Sequence, residues 1–151
     1  MFAPRALALL TAALSTTAAA VGTANVVNNC AYALTAITQQ TSTGRTLQNQ
    51  FSIPSGGSSS AGEHSTDGWR IKMWNGDNPG QILGYETRLE RTIVYYDVYE
   101  DGGSPVGDAF SMSSTDSACH AIQGGQGNFD VVQPDLYTCT SDASFTLTLC
   151  P

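Results

Sequence analysis

The chain has 151 residues, with 13 acidic and 6 basic side chains and a formal net charge of −7. A balance this acidic argues against nucleic acid and against anionic membrane surfaces, since both require basic patches. Beyond that the composition, rich in Ser, Thr and Gly and poor in Lys, is ordinary for an exported β protein.

Residues 1–20 form a targeting segment. Arg5 supplies positive charge, Ala6 to Leu14 is an apolar run, and Ala18-Ala19-Ala20 offers a small-residue cleavage site before Val21. The run is too short to span a bilayer, which takes about 20 apolar residues. No second such run follows, so residues 21–151 are expected as one soluble, extracellular or wall-associated domain, monomeric and without a membrane anchor. Export removes only Arg5 among the cations, so the mature chain is more acidic still.

Along that domain, period-2 patterning dominates and helical periodicity is missing. "ANVVNNCAYALTAIT" (24–38) reads as a β-rich opening with Tyr32, Leu34 and Ala36 on one face. The Ser-rich stretch 55–66 reads as a mobile loop open to O-glycosylation. "WRIKMW" (69–74) alternates, with Trp69, Ile71 and Met73 facing the core; Trp74, beside a turn, is a better candidate than Trp69 for an exposed ring, but a core position is its first reading too. "TIVYYDVY" (92–99) is β-branched and aromatic, and "SFTLTLC" (144–150) puts Phe145, Leu147 and Leu149 on one face. Turn clusters such as "NGDNPG", "EDGGSP" and "GGQGN" separate these runs. Short strands joined by Gly/Pro/Ser turns define an all-β, antiparallel β-sandwich.

Cys30, Cys119, Cys139 and Cys150 all follow the targeting segment, and an even count there reads as two disulfides. Zinc would want C-x₂₋₄-C spacing, which is missing. Three connectivities are open at this point. There is no N-x-[ST] sequon for an N-linked glycan.

Four pieces, "NNCAYALTA" (28–36), "GRTLQ" (44–48), "YYDVYEDG" (95–102) and "SFTLTLCP" (144–151), resemble thaumatin-like proteins in order and role. "DGWRIKMW" and "IVYYDVYEDG" are similar to the small fungal branch, the yeast-phase-specific secreted proteins. The resemblance implies a thaumatin-like sandwich with the first cysteine bonded to the last, Cys30–Cys150, and the cysteine after "SMSST" bonded to the one shortly before the final strand, Cys119–Cys139. Large members insert a disulfide-rich second domain between the positions of Cys119 and Cys139, which here are separated by only nineteen residues (139 − 119 − 1). The resemblance therefore implies a domain that keeps the sandwich and lacks one wall of the family's acidic cleft.

"IVYYDVYEDGG" (93–103) carries the candidate site. Alternation sets Tyr95, Asp97 and Tyr99 on one face and Val94, Tyr96 and Val98 on the drier one, with Asp101 just beyond. Tyr95, Asp97, Tyr99 and Asp101 form a candidate polysaccharide-binding set, in which rings stack on sugar and acids accept its hydroxyl hydrogens. A rival reading makes Asp97 a scaffold residue that caps turn amides near Gly102 and Gly103. Asp97 and Asp101 match cleft acids of the larger relatives, so a weak endo-β-1,3-glucanase using that pair is the alternative function. Where the family carries its Glu, before an aromatic, this chain has Gly84 before Tyr85. Glu86, on the other side of Tyr85, is expected on the opposite face, and the family's Arg has no evident counterpart.

Retaining and inverting glycosidases need two carboxyls flanking the bond, one held protonated. A shallow, wet surface would not supply that, so a non-enzymatic role is expected, with no metal and no cofactor. The acids do not follow D-x-[DN]-x-[DN]-G. Neither His64 nor His120 becomes an N-terminus, there is no G-x-S-x-G elbow, and "GGQGN" follows no Rossmann-like strand. The partners expected are a wall polysaccharide, chiefly β-glucan, or a host or competitor surface, with a protein-directed effector or enzyme inhibitor as a further alternative.

Overall fold

The computed structural model describes residues 20–77, 79–124 and 137–151. The targeting segment predicted over residues 1–20 lies outside them except for Ala20, as does "GGQGN" except for Gly124. The described residues form eleven strands and no helix. They are β1 (Thr23–Asn28), β2 (Leu34–Gln40), β3 (Thr46–Ile53), β4 (Gly57–Glu63), β5 (Trp69–Asn75), β6 (Ile82–Glu90), β7 (Ile93–Asp101), β8 (Phe110–Ser114), β9 (Ile122–Gln123), β10 (Tyr137–Thr140) and β11 (Phe145–Leu149). One sheet has the order β4-β1-β11-β8-β9 and the other β10-β7-β6-β5-β2-β3.

Alternation explains which side of each strand is dry. Ala24 and Val26 of β1 and Phe145, Leu147 and Leu149 of β11 meet Ile71 and Met73 of β5, Leu83 and Tyr85 of β6, and Val94, Tyr96 and Val98 of β7. The intervening residues, Thr23, Asn25 and Val27 of β1 and Ser or Thr in β8 and β11, face away, so each strand contributes one row to a shared core. Phe145 lies 4.2 Å from Tyr96, centroid to centroid, which places a ring contact at the middle of the sandwich.

The strand arrangement differs from the sequence reading in three places. The 24–38 opening is two strands, because residues 29–33 leave β1 and cross to the other sheet before β2 begins; Tyr32 lies in that turn, exposed, and donates to Pro105 O. The Ser-rich stretch contains a strand, β4, whose backbone pairs antiparallel with β1 from Thr23↔Glu63 to Asn28↔Gly57. Main-chain pairing needs no particular side chain, and at a sheet edge Ser58 and Ser60 can point into water. Finally, β1 and β11 run parallel, although the other strand pairs are antiparallel.

That parallel pair lays the start and end of the domain side by side and brings Cys30 against Cys150, with Cα atoms 5.0 Å apart at a sequence separation of 120. Cys119 is bonded to Cys139, fastening the segment after β8 to β10 of the other sheet. Beside the first disulfide, fully buried Asn28 ties three segments together. Its Nδ2 donates to the carbonyls of Tyr32, Ile53 and Pro54, and its Oδ1 accepts from Cys30 N–H. His64, also buried, bridges the sheets, with Nε2 2.9 Å from Ala143 O and Nδ1 3.3 Å from Thr87 Oγ1. Burial pushes its pKa below 6.5, partly offset by the Ala143 carbonyl.

Candidate functional site

The predicted site residues lie on the outer face of the six-stranded sheet. In β7, Tyr95, Asp97 and Tyr99 point away from the core that Val94, Tyr96 and Val98 enter. Their cross-strand partners in β6 are Arg88, Glu86 and Gly84 respectively, and Glu86 and Gly84 in turn face Arg70 and Lys72 of β5. Three adjacent strands thus present Arg70, Lys72, Gly84, Glu86, Arg88, Tyr95, Asp97 and Tyr99 as one array.

This register corrects the reading of Glu86. Residues two apart in a strand share a face, so Glu86 lies on the same side as Gly84 and directly opposite Asp97. Its carboxylate pairs with Arg70 at Nε–Oε2 3.3 Å. A basic partner on this face was therefore present in "WRIKMW" all along: the positions between the core residues Trp69, Ile71 and Met73 are Arg70 and Lys72.

Each predicted residue has a distinct setting. Asp97 is 6% exposed, so it is not on an open, wet surface, and its Oδ1 accepts the Val98 N–H at 2.8 Å. Among the described residues β10 pairs with β7 only as far as Tyr137↔Tyr96, and Asp97 supplies an acceptor to the next amide beyond it. Tyr95 carries the Arg88 guanidinium over its ring, 5.4 Å from the centroid, a cation–π contact. Asp101 closes β7 and is exposed. Tyr99 is half-buried and lies over Gly84; a side chain at Gly84 would land inside its phenol ring. Burial raises the Tyr99 pKa, with Glu86 and Asp101 adding to the rise and Arg70 opposing it. Its hydroxyl is buried, on the side of Arg70. Trp74 shares this outer side and is only 6% exposed, as the core reading expects.

Elsewhere, a polar recess of about 320 Å³ is lined by Thr115, Asp116, Ser117, Thr140, Asp142 and Ala143. Asp116 stands close to the Cys119 and Cys139 sulfurs, but these are bonded to each other and offer no thiolate. Glu100 has its pKa raised by burial and by Asp108, at the opposite end of β7 from the Arg91–Thr92 turn.

A two-sheet sandwich closed by a first-to-last disulfide, with charged and aromatic side chains of both signs on the outer face of its larger sheet, defines a reduced thaumatin-like domain. The family described as Blastomyces yeast-phase-specific protein (Bys1) matches residues 11–151, and the chain belongs to it. Among solved structures it is similar to the protein elicitor MoHrip2 from Magnaporthe oryzae, with TM-score 0.72 and 17% identity over 86% of this chain and 99% of that one. It is also similar to the thaumatin-like xylanase inhibitor TLXI, with TM-score 0.59 and 13% identity over 85% of this chain and 99% of that one. No curated protein matches the chain in sequence.

Proposed function

We propose that this is an exported, non-enzymatic recognition protein that binds a neutral wall polysaccharide, of the β-glucan class, through the outer face of its six-stranded sheet. The observation that carries the reading is Tyr99 laid over Gly84 beside the Arg70–Glu86 pair. A ring resting on the sheet offers its other side to a sugar, and the flanking charged groups give donors and acceptors for hydroxyls. Tyr95 and Tyr99, four positions apart along β7, are spaced by about 13 Å, a span over which a glycan chain can lie. Asp101 is the accessible acid of the set; Asp97 acts beneath the surface by holding the strand.

Hydrolysis is the weaker reading. The facing carboxylates Glu86 and Asp97 already engage Arg70 and the Val98 amide, whereas a glycosidase keeps one carboxyl protonated and a second ready for water or sugar. A protein-directed role is the second reading, supported by the likeness of fold to an elicitor and to a xylanase inhibitor.

Co-sedimentation with insoluble β-1,3-glucan and with chitin tests the proposal, alongside a reducing-sugar assay on the glucan. The wild type should be retained on glucan and release no sugar. Tyr99→Leu keeps a filler over Gly84 without an aromatic face and should lose retention with a near-native Tm. Equal recovery of both proteins in the supernatant would remove the polysaccharide reading, and sugar release would restore the glucanase.

A further inference from the structure

The tip of the hairpin between β6 and β7 is a two-residue turn, Arg91–Thr92, bounded by the pair Glu90↔Ile93. Arg91 has φ 57°, a conformation that disfavours any residue with a side chain. Elsewhere the described backbone meets this demand with glycine, as at Gly44, Gly56, Gly76 and Gly102, or with Cys150, which the disulfide holds in place. Two-residue hairpin turns favour Gly, Asn or Asp at such a position. Arg91 therefore costs stability where a smaller residue would not, and nothing within the described chain compensates. It is exposed, and Arg70–Glu86 is the one ion pair among the described residues.

Its surroundings are those of a contact surface. Ile93, two residues on, is 43% exposed, and Leu47, near the β2–β3 turn at the same end of the sheet, is 53% exposed. Arg88, fixed on Tyr95, and Arg45 of the β2–β3 turn stand at that end too. Beyond Arg5, every Lys or Arg of the chain lies in the six-stranded sheet or its turns, and none in the five-stranded sheet. Asp67, Glu90 and Asp142 are the exposed acids nearby, yet none pairs with Arg91. From β7 to β3 is four strand steps, about 19 Å at ~4.8 Å each, wide enough for a protein footprint. Arginine is enriched at interface centres, and the exposed Ile93 and Leu47 beside it add apolar area that a partner can cover.

We infer that this end of the sandwich docks on a protein, with Arg91 entering a concave surface and forking onto a carboxylate there. A projecting hairpin fits a cleft better than a flat wall, and a guanidinium without a partner of its own calls for a carboxylate in bidentate geometry. Substrate clefts of secreted polysaccharide hydrolases combine both features, since they carry paired catalytic carboxylates in a groove. The inference rests on the second, protein-directed reading and uses residues distinct from Tyr99 and Asp101.

The experiment measures Kd by biolayer interferometry against an endo-xylanase, an endo-β-1,3-glucanase and a chitinase, each with and without an oligosaccharide filling its cleft. The wild type should bind at least one of them and be displaced by the oligosaccharide. Arg91→Gly should weaken that binding by about tenfold or more while raising Tm by about 3 °C as the strained turn relaxes. Arg91→Lys keeps charge and strain but not the fork, and should weaken binding at unchanged Tm. The inference is overturned if the wild type binds none of the three, if Arg91→Gly binds like the wild type, or if Arg91→Gly lowers Tm. Arg91→Gly should keep its retention on insoluble glucan, so loss of one interaction is readable separately from loss of the other.

Discussion

Gly84 and Tyr99 should show opposite signs of the same substitution in two backgrounds. Gly84 has no positive φ in its strand, so by backbone entropy alone Gly84→Ala should stabilise by about 0.5–1 kcal/mol. The added methyl, however, falls inside the Tyr99 phenol ring. Tyr99 must swing off the sheet and lose packing on the Gly84 backbone. For a half-buried ring that loss is about 1.5–2 kcal/mol, so the net effect of Gly84→Ala is a destabilisation of about 1 kcal/mol.

In a Tyr99→Ala background the obstacle is gone and the uncovered glycine gains from a side chain, so Gly84→Ala should stabilise by about 0.5–1 kcal/mol. The coupling between the sites is then about 1.5–2 kcal/mol, within the range measured for residues in contact. Urea unfolding of the four proteins, followed by tyrosine and tryptophan fluorescence, reads the cycle directly. A Gly84→Ala effect of the same sign and size in both backgrounds would refute the packing argument and with it the idea that Tyr99 is held as a platform. Because the ring is also the proposed sugar contact, Gly84→Ala should reduce glucan retention as well as stability.

Asn28→Ala should cost about 2–4 kcal/mol, seen as a shift of the urea midpoint, because it strands the buried Ile53 carbonyl and the buried Cys30 amide. Asp97→Asn should lower Tm measurably while Asp101→Asn leaves it near native, since only the first is buried and bonded to the strand; equal Tm values would return Asp97 to the open surface. Opening the Cys30–Cys150 loop removes about 4.9 kcal/mol on the chain-entropy estimate against about 3.3 for Cys119–Cys139, so Cys150→Ser should melt below Cys139→Ser. For His64, folding lowers the pKa, so below pH 6.5 the unfolded chain binds the proton that the folded one resists. Stability should hold above pH 7 and fall as pH drops through 6.5, and His64→Gln should flatten that decline in urea titrations run from pH 8 to pH 5.

Strand faces were legible wherever one side is apolar. Phe145, Leu147 and Leu149, or Trp69, Ile71 and Met73, declare a core row by composition alone. The β4 strand was not legible because Gly57–Glu63 has no apolar row and exists through main-chain pairing with β1. For the same reason the parallel contact of β1 with β11 could not be read, since period-2 patterning is blind to strand direction. The disulfides were reached by resemblance, and the geometry explains them, as the parallel pair carries Cys30 and Cys150 together. At the site, β7 alone was readable. Arg70, Glu86 and Arg88 join it only through the registers of β5 and β6, and register is set by turns that a single sequence leaves open.

The placement of polar groups also separates the two surfaces by what each can do. On the outer face of the sheet Glu86 is held by Arg70, Arg88 by Tyr95 and Asp97 by the strand. Groups fixed in this way lose little entropy when a weak, neutral ligand arrives, and a glycan with few strong contacts needs that preorganisation. At the β6–β7 tip the reverse holds. Arg91 has no internal partner and sits in a backbone conformation that opposes it, so its interaction energy is still available to a partner that supplies a carboxylate. A charged group unpaired in the free protein gains most where the partner excludes water, and loses most when truncated there. Binding at the sheet face should therefore change little with salt, whereas binding at the tip should weaken as ionic strength rises. Measuring both interactions from low to high salt distinguishes them without any mutation, and a glucan interaction that collapses in salt would place charge, not ring stacking, at its centre.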